Sequence, residues 1–242
     1  RATAVVVGVG TTEAATALIE GALDAFGGFD ILVTNAGVLR DKSVLKMTDD
    51  DFDTVIHVHL RGTFLCVREA YRSFKERGVA GRIITIGSPH RPVRQLRPDE
   101  LRGSQAGIVG MVRTWALEMK KAGVTVNTVV PVAATAMTET VPYFSAAIEA
   151  DKRGEPMPGF FRKTLGFGTA ADVAGLVAFL ASDAASGITG QVVGAGGDRL
   201  QLFSHPQPIV TEYSDGGWTY EKLAEQFDTP AEGHLQACGE KM

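Results

Sequence analysis

Residues 30–43 read DILVTNAGVLRDKS, a short apolar run that leads into the triplet Asn35-Ala36-Gly37. The run is typical of a buried strand, and the polar, glycine-containing segment after it ends the strand. Two more apolar runs of this kind follow along the chain, GRIITIGS (81–88) and VTVNTVVP (124–131). Helical patterns separate the three runs, and this alternation predicts a parallel sheet with helices on both faces.

The segments between the strands carry apolar residues at helical spacing. They predict helices over residues 13–26, 50–77 and 101–121. Thr48 and Asp49 are the candidate N-caps for the second of these helices. Residues 2–8, ATAVVVG, predict one more strand ahead of the first helix.

The bulk composition fits one α/β domain. The chain has 242 residues, 45% of them hydrophobic, and we assign one domain to residues 1–202 and a C-terminal extension to residues 203–242. The formal net charge of −4 offers no basic surface to nucleic acid or to an anionic membrane. No apolar run reaches the roughly 18 residues that a membrane span needs. Cys66 and Cys238 have no metal-ligand spacing, so we expect a cytoplasmic chain without a metal site.

The ordered series of motifs resembles the short-chain dehydrogenase/reductase family. The triplet Asn35-Ala36-Gly37 is similar to the segment after the family's fourth strand, and residues 81–88 are similar to its fifth strand and catalytic serine. Residues 124–131 resemble the sixth strand and residues 187–197 the seventh. The resemblance extends over most of the chain. It implies a Rossmann-like, doubly wound parallel sheet and an NAD(P)-linked oxidoreductase.

Finer similarity points to one subgroup of that family. Residues 35–64, 131–141 and 193–202 resemble the 3-hydroxyacyl-CoA dehydrogenase domain of peroxisomal multifunctional enzyme type 2. Related bacterial acyl-CoA and steroid-side-chain dehydrogenases look similar. This resemblance implies a lineage that handles thioesters, and it makes an acyl-CoA-type ligand a candidate.

The catalytic positions implied by the resemblance are altered. In the family, an asparagine, a serine, a tyrosine and a lysine form the catalytic tetrad, and the tyrosine exchanges a proton as hydride moves to or from the nicotinamide. These positions fall on His59, Ser88, Leu101 and Gln105. Leucine has no exchangeable proton, and glutamine supplies no positive charge. Because general acid–base catalysis is commonly worth about 10²–10⁴ in rate, we expect classical hydride transfer to be lost.

The family's glycine-rich pyrophosphate motif is missing near the N-terminus. Gly8-Val9-Gly10 lacks the third glycine, and we interpret both glycines as turn residues. When the triplet at 35–37 is aligned with the family, residues 2–8 fall on its third strand. Two N-terminal βα units, on the order of 60 residues, are then absent. Asn35, Ala36, Gly37 and Pro131 would be vestiges of a cofactor site, and we assign no cofactor with assurance.

The absence of those units would leave the strand at residues 31–33 with an open edge in the sheet. We consider three arrangements. The strand at 2–8 lies beside it, another chain covers it, or the sequence is part of a longer protein.

Three functions remain open at this stage. The first is a degenerate subunit that acts by homo- or hetero-oligomeric association through the helices at 50–77 and 101–121, which in the family pack against a second subunit. The second is an NAD(P)-dependent oxidoreductase acting on 3-hydroxyacyl or 3-ketoacyl thioesters or on steroid-like substrates. The third is a non-redox lyase, hydratase or hydrolase that uses His59, Ser88 and His90 as an acid–base site.

Residues 142–168 occupy the family's substrate-lid position. The segment has three prolines and five aromatic residues. This composition predicts either a mobile lid over a pocket or an ordinary surface loop with its own small apolar cluster.

Overall fold

A computed structural model describes residues 1–40, 42–87 and 99–228 of the chain. Within these ranges, the residues up to Phe203 form one compact unit and those from Ser204 onward form a second. The helices are α1 (Thr12–Phe26), α2 (Asp49–Val55), α3 (Gly62–Arg77), α4 (Asp99–Met119), α5 (Ser145–Lys152), α6 (Ala170–Ala181) and α7 (Tyr220–Asp228). The strands are β1 (Ile31–Thr34), β2 (Arg82–Ile86), β3 (Thr125–Pro131), β4 (Val192–Gly196) and β5 (Arg199–Leu202).

The five strands form one sheet in the order β1-β2-β3-β4-β5. The first four strands are parallel, and β5 pairs antiparallel with β4. Leu32 lies opposite Ile83, and Ile83 lies opposite Val126, so these three residues form one row across the sheet. Each connection between two parallel strands contains at least one helix, which is the usual form of the crossover that parallel strands need.

Helices cover both faces of this sheet. On one face, which we call face A, Ile83 and Val126 join buried residues of α1, α3 and α4 in the largest core cluster. On the other, face B, Ile84 and Val129 pack against α6. Alternation of side chains along β2 and β3 explains this division, because neighbouring residues of a strand point to opposite faces. The predicted fold class, a mostly parallel α/β sheet flanked by helices, is confirmed.

Three predicted helices are present, with small changes at their ends. The helix predicted at 13–26 is α1, and the helix predicted at 101–121 is α4 followed by a 3-10 turn. The long helix predicted at 50–77 is divided by one π-helical turn, Ile56–Arg61, which joins α2 to α3. Of the two candidate caps, Thr48 caps α2 and forms a capping box with Asp51, whereas Asp49 is the first residue of the helix.

The strand predicted at residues 2–8 is absent, which corrects that prediction. The segment runs along α1 instead. Arg1 donates a hydrogen bond to the carbonyl of Ala25 at 2.8 Å, and a β-carbon placed on Gly21 would lie 2.6 Å from Cγ2 of Val5. The valines have high strand propensity, but a strand also needs a neighbouring backbone to bond with, and here a helix lies beside them.

The second unit contains α7 and the turn that precedes it. The ammonium of Lys222 donates to Oγ of Ser214 and to the carbonyls of Asp215 and Gly217 at 2.8–3.2 Å. These bonds tie the helix to its own N-terminal turn. Of the helices that the structure describes, none combines the length and the apolar character needed to span a bilayer.

Candidate functional site

His59 is the one proposed catalytic residue whose side chain is described. It lies in the π-helical turn and is 6% exposed. Its Nε2 atom lies 3.0 Å from the backbone nitrogen of Val38 and 2.8 Å from the backbone oxygen of the same residue. One tautomer accepts from the N–H and the other donates to the carbonyl. The ring is therefore bound to the loop that follows β1.

The loop after β1 is shaped around this histidine. A β-carbon on Gly37 would lie 2.6 Å from Cε1 of His59, so only glycine allows the ring to approach so closely. Asn35, Ala36 and Gly37 themselves are exposed at the carboxyl end of β1. Within the triplet, Gly37 is therefore the residue that lies against His59.

The same π-helical turn also contacts the loop before α1. Nε of Arg61 donates to the carbonyl of Gly10 at 2.9 Å. Gly10 has φ +107, and a β-carbon there would overlap the ring of His57. Insertions of this kind in helices occur often at functional sites. Here the turn joins the loops that precede α1 and follow β1.

The structure describes the other predicted site residues to different extents. Ser88 and His90 lie outside the described residues. Leu101 and Gln105 belong to α4, one turn apart, but their side chains are not among those described. Pro131 ends β3 and pairs with Ala195 in the ladder. The roles proposed for these residues stay predictions.

The described residues do not fit an NAD(P) pyrophosphate. In a doubly wound sheet, the dinucleotide lies where the strand order reverses, but the order β1-β2-β3-β4-β5 has no reversal. A pyrophosphate also needs space beside the glycines before a helix. Gly8 has open space around it, whereas the space beside Gly10 holds His57. Furthermore, the hydroxyl of Thr11 already accepts from the N–H of Ala14 at the start of α1.

A row of buried hydroxyls lies beneath this region, on face A. Oγ1 of Thr85 and Oγ1 of Thr128 are 2.9 Å apart on adjacent strands. Thr63 of α3 donates to Thr34 of β1 at 3.5 Å. The sequence did not predict this row, although each of the three strands carries its threonine at the matching position of the register.

Lys42 and Asp51 stabilise the end of the loop between β1 and α2. The Lys42 ammonium lies 2.5 Å from Oδ2 of Asp51, which also accepts from the hydroxyl and N–H of Thr48. The hydrogen bonds from Lys42 and Thr48 favour the ionised carboxylate and lower the pKa of Asp51 to about 2.

The segment 142–168 contains its own aromatic cluster. Phe144 and Phe167 are stacked with ring centroids 4.2 Å apart, and Phe167 is fully buried. Phe161 contacts both of these rings, and Tyr143 contacts Phe144 and Phe161. The apolar cluster, one of the two alternatives predicted from the sequence, is thus present. A lid function stays a prediction.

Arg162 fixes the end of that segment. Its guanidinium binds both carboxylate oxygens of Asp172 at 3.1 Å and reaches Oδ1 of Asp198 at 2.8 Å. The bond from Arg162 lowers the pKa of Asp172, and the same contacts raise the pKa of Arg162. Since Asp172 also forms the capping box of α6 with Thr169, the segment is tied to the start of that helix. Among the described residues, no group of three or more His, Cys, Asp or Glu could hold a metal ion.

Comparisons with known proteins agree with this architecture. The family model described as Enoyl-(Acyl carrier protein) reductase matches residues 1–197. Peroxisomal multifunctional enzyme type 2 from Mus musculus is 37% identical over 131 residues, which are 54% of this chain and 18% of that enzyme. A (2S)-[(R)-hydroxy(phenyl)methyl]succinyl-CoA dehydrogenase subunit from Thauera aromatica is 33% identical over 205 residues, which are 82% of this chain and 76% of the relative.

A solved structure extends the similarity to the fold. The crystal structure of a short chain dehydrogenase from Mycobacterium avium has a TM-score of 0.70 and 28% identity, over 96% of this chain and 72% of that chain. The chain spans only 18% of the mouse enzyme's length, so the match there concerns one part of a larger protein. Together with the family model and the Thauera relative, the structure confirms the resemblance seen in the sequence, and the chain belongs to the short-chain dehydrogenase/reductase family.

Proposed function

We propose that this chain is a degenerate family subunit that does not carry out NAD(P)-linked hydride transfer and acts by association with another subunit. The observation that carries the proposal is the identity of two residues in α4. Leu101 and Gln105 stand one turn apart where the family's motif has tyrosine and lysine. Neither residue can exchange a proton with a substrate oxygen or place a positive charge beside one.

The backbone around the family's cofactor region supports this proposal. The strand order does not reverse among the described residues, and His57 fills the space beside Gly10. His59 bonds to Val38. Restoring a tyrosine alone would therefore not create a place for a nicotinamide.

Association is supported by apolar side chains on the helices that the family uses between subunits. Phe52 on α2, Phe64 on α3 and Leu117 on α4 are all exposed, with Leu117 79% exposed. Contiguous exposed apolar patches mark subunit contacts, and under this proposal the three side chains contribute to one. The Thauera relative is itself named a dehydrogenase subunit. The partner would be a like or an unlike chain of this family.

Calorimetric titration with NADH and NADPH tests the loss of cofactor binding. We expect no heat of binding at nucleotide concentrations of about 1 mM, since the described residues provide no cradle for the pyrophosphate. Micromolar binding would overturn the proposal. The double variant Leu101→Tyr/Gln105→Lys provides a second readout, because it should remain inactive as a dehydrogenase if the cofactor region is absent.

Light scattering tests association. The variants Phe64→Glu and Leu117→Glu should reduce the average molar mass, because a charge buried at a subunit contact is costly. Val44→Glu is the matched control, since Val44 is exposed on the loop after β1 rather than on these helices. A monomeric wild-type chain that acquires no partner subunit would contradict the proposal.

A second candidate is an active NAD(P)-dependent oxidoreductase on 3-hydroxyacyl or 3-ketoacyl thioesters. The names of the relatives favour it, since they include 3-oxoacyl-[acyl-carrier-protein] reductase and hydroxyacyl-CoA dehydrogenase. Reduction of acetoacetyl-CoA, followed by the absorbance of NADH, distinguishes it from the first proposal. The third hypothesis, a non-redox enzyme using His59, Ser88 and His90, is weakened because Nε2 of His59 is already hydrogen-bonded to the backbone of Val38.

A further inference from the structure

The segment at residues 142–168 consists of two helical parts joined by an exposed linker. The first part, residues 142–152, contains a 3-10 turn and α5, and we call it the arm. The second part, residues 160–168, begins with a π-helical turn, and we call it the foot. Residues 153–159 are the linker, and among them only Met157 is buried. Whether the two parts move together depends on how each is attached to the rest of the unit.

The foot is held by directional polar contacts with three elements. Arg162 binds Asp172 at the start of α6 and Asp198 in the turn between β4 and β5. The N–H of Ala134 donates to the carbonyl of Gly168 at 2.7 Å, so the foot is also hydrogen-bonded to the chain that follows β3. All of these contacts must break before the foot can leave its place.

The backbone of the foot also lies very close to its neighbours. A β-carbon on Gly168 would overlap the backbone nitrogen of Gly197, so the two chains meet without room for a side chain. In addition, the guanidinium of Arg199 donates to the carbonyl of Thr164 at 2.8 Å. The foot is thus fixed by β5 as well as by α6.

The arm is held mainly by apolar packing. Phe144 is 7% exposed and Ala147 is fully buried, and the ring of Phe144 lies parallel to that of Phe167 in the foot, at an interplanar angle of 3°. The ion pair between Lys152 and Glu139, at 3.2 Å, is exposed, and such pairs contribute little to stability. Among the residues that the structure describes, no hydrogen bond joins the arm to the sheet or to α6.

This difference in attachment determines which part opens first. Moving the foot breaks ion pairs and backbone hydrogen bonds, whereas moving the arm exposes a few apolar side chains. The linker can absorb the change in backbone direction, because a β-carbon on Gly154 or Gly159 would meet nothing within 4 Å. Hinges of moving segments are a few residues with this freedom.

We propose that the arm opens and closes about the linker while the foot stays fixed, and that the stack of Phe144 on Phe167 is the catch that holds the arm closed. The foot joins the chain after β3 and the turn after β4, so this catch lies at the carboxyl ends of those strands. Ligands of parallel sheets bind at that end. Opening uncovers the face of the Phe167 ring, and the arm is therefore a gate over an apolar surface.

Thiol labelling measures the opening of the arm. Ala147→Cys and Ala70→Cys each replace a fully buried alanine, the first in the arm and the second in α3. Both are prepared with Cys238→Ser, while Cys66 remains, because burial raises the pKa of its thiol and protects it. Maleimide should label the first variant at least about ten times faster than the second, since local opening costs less free energy than opening the core.

The urea dependence of the labelling rates separates local opening from unfolding. The rate for Ala147→Cys should depend on urea more weakly than the rate for Ala70→Cys, because opening the arm exposes little surface. Equal rates and equal urea dependences for the two variants would overturn the proposal. Neither measurement depends on whether the chain binds NAD(P).

Two further substitutions in the Ala147→Cys variant identify the catch and the fixed part. Phe144→Ala should raise the labelling rate at least about tenfold, because burial of the ring stabilises the closed arm. Phe160→Ala is the matched control, since that ring is 54% exposed, and it should leave the rate unchanged. Arg162→Gln should also leave the rate nearly unchanged. An increase with Arg162→Gln as large as that with Phe144→Ala would show that arm and foot open as one body, and no increase with Phe144→Ala would refute the catch.

Discussion

At the scale of single residues, Nε2 of His59 is held by the backbone of Val38, through its N–H in one tautomer and its C=O in the other. His59→Ala should lower the free energy of unfolding by about 1–3 kcal/mol, because a backbone polar group of Val38 loses its partner in a half-buried position. Urea unfolding followed by circular dichroism measures the change. His57→Ala is the control, since His57 is exposed on the same turn and should cost no more than about 0.5 kcal/mol. Equal costs for the two variants would argue that the Val38 contact has no energetic weight.

Asp51, also at the scale of single residues, makes a pH-dependent contribution to the free energy of unfolding. Its pKa falls from the usual 3.8 to about 2 in the folded chain. A lowered pKa means that the ionised carboxylate stabilises the fold above about pH 4, and that this contribution is lost as the pH falls toward about 2. Asp51→Asn should therefore be less stable than the wild-type chain at pH 6, and the difference should shrink between pH 4 and pH 2.

Unfolding in urea across this pH range tests the Asp51 prediction. Asp50→Asn controls for the loss of one negative charge, because Asp50 is an exposed neighbour on the same helical turn. A difference between wild type and Asp51→Asn that stays constant from pH 6 to pH 2 would refute the assignment.

The sequence predicted some of these residues but not their partners. The family resemblance selected His59 and the triplet at 35–37, and both belong to one contact region. The bond from His59 to Val38 joins residues 21 apart, and no local pattern signals such a contact. The same holds for the threonine row, because its register appears only when the strands are aligned side by side.

At the scale of elements, the aromatic cluster of residues 142–168 is an internal core. Phe167→Ala should destabilise the fold by about 3–5 kcal/mol, since it leaves a cavity at a fully buried ring that stacks on Phe144. Phe160→Ala is the matched control and should cost less than about 1 kcal/mol, because Phe160 is exposed. Thermal unfolding measures both. A cost for Phe167→Ala as small as that of Phe160→Ala would mean that the segment packs only loosely.

Helices were predicted more accurately than strands for a physical reason. A helix bonds within its own segment, so the spacing of apolar residues located α1 and α4. A strand bonds to a neighbour that the local sequence does not specify. This is why residues 2–8 were wrongly predicted as a strand and why β5, which depends on the turn at Gly197, was missed.

At the scale of the whole molecule, the order of the strands in the sheet has the largest consequences. Each strand from β1 to β5 is added on the same side of the one before it, so the described residues contain one half of a doubly wound arrangement. That single property links the misfit of a dinucleotide to the open edge of β1. The missing glycine-rich motif already indicated the misfit of the dinucleotide and the open edge. Only the structure could show whether residues 2–8 pair with β1.

The division into two units predicts how the chain responds to truncation. No residue of 204–227 is buried, whereas Phe203 packs against Val109, Val130 and Val192. A chain ending at Phe203 should therefore keep its melting temperature within about 2–4 °C, corresponding to about 1 kcal/mol for a domain of this size. A chain ending at Gly197 is the contrast, because it also loses β5 and the ring of Phe203, and it should lose more than about 2 kcal/mol. If removing residues 204–242 alone abolished cooperative unfolding in calorimetry, the first unit would not be an independent folding domain.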